Sequence, residues 1–308
     1  MIRKTLMIAA AALSFAAAPA LAQTHGGHDH GAAHAGHADF ASDRLHVMVE
    51  GQGPDVILIP GLSSSPEIWQ GTVDRLGGGY RIHRIHVNGF AGAPAGANAE
   101  GPVSAPVAEE IARYIAEQGL ESPAVIGHSM GGTIAMMLAA RHPDAVGRLM
   151  VVDMIPFMGA MFGPPGTTAE SVAPVAEQIY AAQSASPPEA YQAQAEQAII
   201  GMIRTESERE APLRHSRESD QQVSASAFRE LVVTDLRPEL AAITAPTEVL
   251  YVKFNDERMT PEITDMIYRL SFQTLPDAEL VRVDDSAHFI MLDQPELFAE
   301  RVRAFLEQ

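Results

Sequence analysis

From residue 44 onward, short apolar runs typical of strands alternate with amphipathic stretches typical of helices. This pattern predicts repeated βα units. Val56-Ile57-Leu58-Ile59 is continuously apolar, as expected of a strand that is buried on both faces of a parallel sheet. Other strands are predicted at 45–50, 80–87, 124–127, 149–153, 247–253 and 279–283, and helices at 103–118, 130–141, 261–272 and 295–306. The pattern therefore predicts an α/β fold with a mostly parallel central sheet and flanking helices.

The strand pattern stops between residues 157 and 235. This segment is rich in Ala, Gln, Pro and Met and contains helical patterns near 170–183, 188–204 and 224–234. Insertions at the carboxyl ends of strands commonly build substrate pockets. We therefore expect a helical cap at about 155–235, inserted into a single domain that spans residues 41–308.

Residues 1–22 have the pattern of a signal peptide. Arg3 and Lys4 precede an apolar run at 6–18, and Ala20-Leu21-Ala22 supplies the small residues of a cleavage site. The run is too short to cross a bilayer comfortably, which favours cleavage over an uncleaved anchor. We expect an exported protein, periplasmic or secreted, without membrane attachment after cleavage. The absence of cysteine suits an oxidising compartment.

Residues 23–40 are rich in Gly, Ala and His and show no hydrophobic periodicity, which predicts a flexible tail. Neutral imidazole is a good ligand for zinc, copper and nickel ions. Weak transition-metal binding by the tail is therefore one hypothesis, and a solvated linker is the other. The histidines of the tail are His25, His28, His30, His34 and His37.

The chain is strongly acidic, with 21 Lys and Arg against 39 Asp and Glu and a formal net charge of −18. Nucleic acids and anionic membranes bind to concentrated positive charge, and no basic run in the sequence supplies it. The charge pattern therefore argues against both as partners. A small molecule is left as the expected ligand.

The sharpest chemical motif is Gly127-His128-Ser129-Met130-Gly131, a G-x-S-x-G sequence between a short predicted strand and an Ala- and Met-rich helix. In this context a strained strand-to-helix turn projects the serine oxygen, and the flanking glycines remove side chains that would collide there. The start of the helix supplies backbone N–H groups and positive potential toward an oxyanion. Ser129 is therefore the predicted nucleophile.

A serine hydroxyl at neutral pH needs a neighbouring base, and the base needs an acid that holds its tautomer. His288 follows the last predicted strand and is the predicted base. His128 precedes the nucleophile and is expected to face away from the attack site, in packing or in the pocket lining. His215 lies in the cap, where contact with substrate is one hypothesis and a structural role is the other.

These features resemble the α/β-hydrolase family over residues 44–308. Pro60-Gly61-Leu62 after the buried strand is similar to the family's oxyanion loop, and Ser286-Ala287-His288-Phe289 is similar to its catalytic histidine loop. The resemblance implies an α/β-hydrolase fold with a serine–histidine–acid triad. It also implies an oxyanion hole made by the backbone N–H groups of Leu62 and Met130.

The acid is left open among three carboxylates. The resemblance usually places it after the strand at 247–253, a few residues before Pro261, where Glu257 and its neighbour Asp256 stand. That stretch departs from the family pattern, because it lacks the usual glycine and carries Glu in place of Asp. Some members take the acid from the end of the strand after the nucleophile helix, where Asp153 stands, and we favour Asp153.

The resemblance implies a carboxylic ester hydrolase that forms an acyl-enzyme on Ser129 with a small or medium ester-like substrate and needs no cofactor. Amidase, lactonase, C–C hydrolase and perhydrolase activities on the same triad are alternatives, as is a non-catalytic binding protein with a metal-binding tail. An apolar cluster at the start of the cap is either packing or a substrate wall. Its members are Met154, Phe157, Met158, Met161 and Phe162.

Overall fold

The computed structural model describes residues 36–37, 40–256, 258–275 and 277–308 of the chain. Its strands are β1 (Gly36–His37), β2 (Leu45–Gly51), β3 (Asp55–Ile59), β4 (Arg81–Val87), β5 (Ala124–His128), β6 (Arg148–Val152), β7 (Thr247–Tyr251) and β8 (Glu279–Arg282). In this part of the chain they form one eight-stranded sheet in the order β1-β2-β4-β3-β5-β6-β7-β8. The predicted α/β fold class is confirmed.

The sheet is parallel except at one edge. β2 runs antiparallel to β1 and β4, whereas the other neighbouring pairs are parallel. Ile59 of β3 pairs with Gly127 of β5, and His128 of β5 pairs with Val152 of β6. The carboxyl ends of these three strands therefore meet at one edge of the sheet, which is where open α/β sheets bind their ligands.

Helices cover both faces of the sheet and fill the segment between β6 and β7. They are α1 (Gln70–Leu76), α2 (Ser104–Glu117), α3 (Met130–Arg141), α4 (Ala169–Ala185), α5 (Pro188–Met202), α6 (Glu210–Glu218), α7 (Gln221–Val233), α8 (Pro261–Ser271), α9 (Ile290–Asp293) and α10 (Pro295–Glu307). The predicted helix at 130–141 coincides with α3. The sequence pattern missed α1 and α6, because helices of 7 and 9 residues contain too few apolar repeats to stand out.

Apolar side chains fill the space on both faces of the sheet. Along β3, Ile57 and Ile59 belong to the core beneath α2 and α3, and Val56 and Leu58 belong to the core beneath α1 and α10. All four side chains are fully buried. This two-sided burial explains why β3 is apolar at consecutive positions rather than alternate ones.

The segment between β6 and β7 is helical, as expected of a cap. Residues 153–246 are all described and contain α4 to α7 without a strand. The carboxylate of Glu230 in α7 accepts hydrogen bonds from the N–H groups of Val103, Ser104 and Ala105 at 2.6, 2.7 and 3.0 Å. These donors lie at the start of α2 and lack partners inside that helix, so the cap is joined to the core by a charge-assisted helix cap.

The folded part begins slightly before the predicted domain boundary at residue 41. The ring of Phe40 packs edge-on against Tyr114 with centroids 5.0 Å apart, and the Arg113 guanidinium lies 4.3 Å from the centre of the Phe40 ring. β1 adds a two-residue strand beside β2. The predicted signal peptide and most of the His-rich tail lie outside the described residues. Within the described ranges, no helix is both long enough and apolar enough to cross a membrane.

Candidate active site

Ser129 occupies a sharp turn between β5 and α3. Its backbone has φ 55° and ψ −122°, a conformation that a non-glycine residue adopts only under strain. The N–H of Ser129 donates to the carbonyl of Val152 at 2.9 Å, which ties the turn to β6. The strained turn projects the serine side chain from the carboxyl edge of the sheet, as a nucleophile elbow requires.

The glycines around Ser129 are required by close backbone packing. A Cβ atom at Gly127 would collide with the carbonyl oxygen of Gly131, and one at Gly131 would collide with the carbonyl oxygen of Ile59. Gly61, in the loop after β3, lies beside the nucleophile, because a Cβ atom there would be 3.1 Å from Ser129 Cβ. Side chains at these positions would push the loop, the turn and the helix apart.

His288 and Asp153 form a hydrogen-bonded pair at the same edge of the sheet. His288 Nδ1 lies 2.6 Å from Asp153 Oδ2. With Nδ1–H donating to the carboxylate, the Nε2 lone pair of His288 is available to take a proton. The side chain of Asp153 is 9% exposed and that of His288 is 23% exposed. The acid is therefore shielded from water, whereas the imidazole can be reached.

Asp153 is held by three donors and by its own backbone. It follows β6 with φ 51°, and its N–H donates to Leu250 O at 2.7 Å. Its Oδ1 accepts hydrogen bonds from Val252 N–H at 3.0 Å and from the Tyr268 hydroxyl at 3.1 Å. Sequence reasoning missed Tyr268, because the predicted helix at 261–272 carries no signal for which of its side chains reaches β6.

Ser129, Asp153 and His288 line one cavity of about 420 Å³. Among the described residues, no direct hydrogen bond joins the Ser129 hydroxyl to His288. In enzymes of this kind the hydrogen bond between nucleophile and base is often long in the free enzyme and shortens in the substrate complex. The arrangement thus holds a nucleophile, a base and an acid around one space that a small molecule can enter.

The two predicted oxyanion donors are placed around the nucleophile. Leu62 lines the cavity, and Met130 is the first residue of α3, where N–H groups have no partner inside the helix. In the described part of the chain, neither backbone N–H is taken by another acceptor. Both are therefore available to an oxyanion, and the dipole of α3 favours negative charge at this point.

Asp256, one of the two alternative acids, does not contact His288 in this geometry. The Asp256 carboxylate accepts hydrogen bonds from the Arg258 guanidinium at 2.9 and 2.5 Å, and this pairing lowers the pKa of Asp256 to about 2. Asp256 does not line the cavity. The interpretation with Asp256 as the acid therefore does not match the structure, because Arg258 occupies its carboxylate. Glu257 lies outside the described residues.

His128 is completely buried next to the catalytic base. Its Nε2 donates to the carbonyl oxygen of His288 at 3.0 Å, and the two imidazole rings pack with centroids 4.6 Å apart. Nδ1 has no hydrogen-bond partner among the described residues. Burial, reinforced by the neighbouring His288, lowers the pKa of His128 well below its ordinary value. His128 therefore packs as a neutral ring and also lines the cavity.

His215 joins the cap to the loop after β3. Its Nε2 donates to Glu67 Oε2 at 3.0 Å, and its Nδ1 accepts from the N–H of Ser65 at 3.4 Å. Burial lowers the pKa of His215, against the opposing effect of Glu67. The neighbours Pro212 and Ser216 line the cavity, but His215 does not. The geometry gives His215 a structural role and not a substrate contact.

The cavity wall is mostly apolar. Of the predicted apolar cluster, the three methionines line the cavity, whereas Phe157 is buried in the core and Phe162 packs against Phe228. The described lining residues include no Lys, Arg or Glu, and Asp153 is the one carboxylate. Apolar side chains that line the cavity include Met154, Met158, Met161, Ile155, Ile199, Met202, Leu231 and Phe254.

A metal centre is not indicated in the described ranges, which contain no group of three or more His, Cys, Asp or Glu side chains that could hold an ion. His25, His28, His30 and His34 lie outside the described residues, and of His37 the backbone strand alone is described.

Comparisons of sequence agree with the fold. A model of the alpha/beta hydrolase family matches residues 56–301. One similar protein is the pimeloyl-[acyl-carrier protein] methyl ester esterase of Aeromonas hydrophila, which is 28% identical over 271 residues that cover 85% of this chain and all of the relative. A protein of the same name from Vibrio vulnificus strain YJ016 is 25% identical over 275 residues, with 86% and 98% of the two chains covered.

Solved structures give the same architecture. The enol-lactonase from Burkholderia xenovorans LB400 matches with a TM-score of 0.68 at 20% identity, covering 86% of this chain and 96% of that chain. The esterase EaEST from Exiguobacterium antarcticum matches with a TM-score of 0.69, also at 20% identity and with the same coverage. At this level of identity the likeness is one of fold.

Proposed function

The chain belongs to the alpha/beta hydrolase family, and on that premise we propose that it is a serine carboxylic ester hydrolase that works through an acyl-enzyme on Ser129. The observation that carries the proposal is the 2.6 Å contact between His288 Nδ1 and Asp153 Oδ2, beside the elbow that presents Ser129. The names of the sequence relatives, which are methyl ester esterases, support the ester class.

The reaction follows from the positions of these groups. Ser129 Oγ attacks the ester carbonyl carbon while its proton passes to His288 Nε2, and the carbonyl oxygen becomes an oxyanion that accepts from the N–H groups of Leu62 and Met130. Collapse breaks the bond to the alcohol oxygen, which takes the proton from His288. Water then attacks the acyl-enzyme by the same proton route, and it releases the carboxylic acid and restores the Ser129 hydroxyl.

Asp153 acts on the base. Its carboxylate holds the Nδ1–H tautomer of His288 and stabilises the imidazolium that forms when the serine proton is taken. The side chain of Asp153 is only 9% exposed, so water screens this interaction weakly. This is why the acid is effective although it does not touch the reacting atoms.

We propose that the substrate is a neutral ester with an apolar acyl group of small or medium length. Support comes from the cavity wall, which is mostly apolar, includes the uncharged polar side chains of Gln183, Tyr191 and Gln194, and has no Lys or Arg among the described lining residues. A charged acyl terminus in this cavity would lose its hydration without gaining a counter-ion. The volume of about 420 Å³ is at the lower end of ligand pockets, which favours small substrates over polymers.

The activity is tested with a panel of p-nitrophenyl esters from acetate to a long acyl chain, with γ- and δ-lactones added. Turnover that depends on chain length and vanishes in Ser129→Ala supports the proposal. Faster opening of lactones than of esters would move the natural substrate to the lactones, with the same acyl-enzyme. Absence of turnover on the whole panel, together with no covalent labelling of Ser129, would contradict it.

The charge of the acyl group is tested with a matched pair of methyl esters. Methyl hexanoate and monomethyl adipate have acyl chains of equal length, but the second ends in a carboxylate. We expect kcat/KM for the charged ester to be lower by about 100-fold, because the cavity provides no counter-charge. Equal values of kcat/KM for the two esters would exclude the neutral-substrate proposal, and the proposed roles of Ser129, His288 and Asp153 would be unaffected.

We also propose that the protein is exported and that its mature N-terminus is Gln23, on the strength of the pattern at residues 1–22. Mass spectrometry of the protein recovered from the periplasm or the medium tests this directly. Retention of Met1 in a cytoplasmic fraction would contradict it.

We further propose that the tail binds transition-metal ions weakly through its histidines and plays no part in catalysis. The test compares Ni²⁺ binding by the full mature chain with that of a chain lacking residues 23–38. The shortened chain should lose the metal binding and keep the ester hydrolysis. Loss of hydrolysis would instead place the tail in the reaction.

A further inference from the structure

The catalytic carboxylate has a second oxygen that faces away from the base. Asp153 Oδ2 is bound by His288, whereas Asp153 Oδ1 accepts from Val252 N–H at 3.0 Å and from the Tyr268 hydroxyl at 3.1 Å. Val252 follows β7 directly, but Tyr268 reaches the carboxylate from α8. The carboxylate is therefore oriented by one main-chain donor and one side-chain donor.

The Tyr268 ring is rigidly packed. It is 1% exposed and stacks on the ring of Tyr251, with centroids 3.9 Å apart and 19° between the ring planes. Phe254 and Phe272 flank it in stacked contacts with centroids 5.9 and 6.4 Å away. Because the ring is held on these sides, aromatic packing fixes the position of its hydroxyl oxygen, and Asp153 Oδ1 is the acceptor that its hydrogen faces.

Charge and burial keep this hydroxyl a donor. Burial of the ring, together with the negative charge of Asp153, raises the pKa of Tyr268 well above its ordinary value. The phenol therefore stays protonated at neutral pH, and a protonated phenol beside a carboxylate donates to it.

We propose that Tyr268 is a positioning residue of the triad, whose hydroxyl orients Asp153 so that Oδ2 points at His288 Nδ1. The role rests on the proposed function, since it acts through the base that activates Ser129. Asp153 ends a strand with φ 51°, and a carboxylate can rotate about its Cα–Cβ and Cβ–Cγ bonds. Two donors on Oδ1 prevent that rotation and leave one oxygen for the base.

The chain contains a matched control for this hydroxyl. Tyr251 is stacked on Tyr268, but its hydroxyl donates to Asp265 Oδ1 at 3.0 Å and not to the triad. Tyr251 does not line the cavity. Tyr268→Phe and Tyr251→Phe therefore remove the same atom from two stacked rings, and only the first removes a donor to the catalytic acid.

The experiment measures kcat and KM on p-nitrophenyl butyrate and the rate of Ser129 labelling by a fluorophosphonate, for the full mature chain and both variants. For Tyr268→Phe we expect kcat and the labelling rate to fall about tenfold, the effect of losing one hydrogen bond to a charged group, with KM unchanged. Tyr251→Phe should stay within about twofold of the wild type. Circular dichroism should show all chains folded at the assay temperature.

The two tyrosine changes are repeated in an Asp153→Asn chain. If Tyr268 acts through the carboxylate, Tyr268→Phe should lower the remaining activity by less than about twofold in that background. A tenfold fall in both backgrounds, or equal kcat for Tyr268→Phe and the wild type, would overturn the positioning role. Failure of the fluorophosphonate to label wild-type Ser129 would instead overturn the proposed function, and with it this role.

Discussion

Asp153 Oδ2 lies 2.6 Å from His288 Nδ1, although 135 residues separate the two in sequence. β6 is the sheet neighbour of β5, so Asp153, which follows β6, lies next to the turn that carries Ser129. The hydrogen bond from Ser129 N–H to Val152 O ties the same two strand ends together. The nucleophile Ser129 and the acid Asp153 thus follow adjacent strands, and the base His288 lies on the loop after β8.

This relationship predicts that Asp153→Asn lowers kcat by about 10³- to 10⁴-fold, because an amide at this position favours the wrong imidazole tautomer and cannot stabilise an imidazolium. The controls are Asp256→Asn and Glu257→Gln, which should stay within about twofold of the wild type. Measurement of kcat for ester hydrolysis by the three variants shows which carboxylate is the catalytic acid. A large loss in Glu257→Gln with little loss in Asp153→Asn would assign the acid to Glu257.

The close packing around the elbow predicts that Gly131→Ala abolishes ester hydrolysis. Its Cβ would collide with the carbonyl oxygen of Ile59, so the loop after β3, which carries the Leu62 oxyanion donor, must move away from Ser129. The matched control is Gly201→Ala in α5, where a Cβ atom meets nothing within 4 Å. That change should stabilise the protein by about 0.5–1 kcal/mol. Urea unfolding measures the stability of each variant, and ester hydrolysis measures its kcat. A Gly131→Ala protein that hydrolyses the ester would contradict the packing argument.

Burial of His128 predicts how stability depends on pH. The folded protein keeps His128 neutral because its pKa is lowered by burial, whereas the unfolded chain takes up a proton near pH 6.5. The contribution of His128 is therefore fully present well above that pH and is lost on acidification, by about 1.4 kcal/mol between pH 7.5 and 5.5.

The measurement compares urea unfolding of the wild type and His128→Gln at pH 7.5 and 5.5. Glutamine keeps an N–H for the His288 carbonyl and does not titrate, so the wild type should lose more stability than the variant over this interval. Parallel losses in the two proteins would show that His128 is not the group responsible.

The cap contact of His215 predicts a change in stability without a change in substrate binding. His215→Phe removes the hydrogen bonds to Glu67 and Ser65 from a buried site and should cost about 1–3 kcal/mol, while KM stays within twofold. Arg214→Ala, which removes the exposed partner of Glu67, should barely alter the melting temperature. A large rise in KM for His215→Phe would instead indicate that His215 contacts the substrate.

The elements that carry chemistry could be predicted from the sequence because their signals are local. The elbow at Ser129 combines a motif, a strand and a helix within a few residues, and the predicted helix at 130–141 coincides with α3. The continuous apolar run of β3 likewise reflects burial on both faces of one strand.

The remaining features depend on contacts between distant segments. Local patterns leave three carboxylates open and only favour Asp153, which the structure distinguishes by donors from Val252, directly after β7, and from Tyr268 of α8. Which side chain of α8 faces β6 is decided by helix packing and leaves no mark in the sequence. In the same way, the pairing of His215 with Glu67 needs the cap to be docked.

Whether Ser129 is the nucleophile of an ester hydrolase is measured by treating the wild type and Ser129→Ala with a fluorophosphonate and identifying the modified peptide by mass spectrometry. Hydrolysis of p-nitrophenyl butyrate is followed in the same samples. We expect a single adduct on Ser129 in the wild type, loss of ester turnover in step with labelling, and neither adduct nor turnover in Ser129→Ala. An unlabelled wild type, or a Ser129→Ala protein that still hydrolyses the ester, would contradict it.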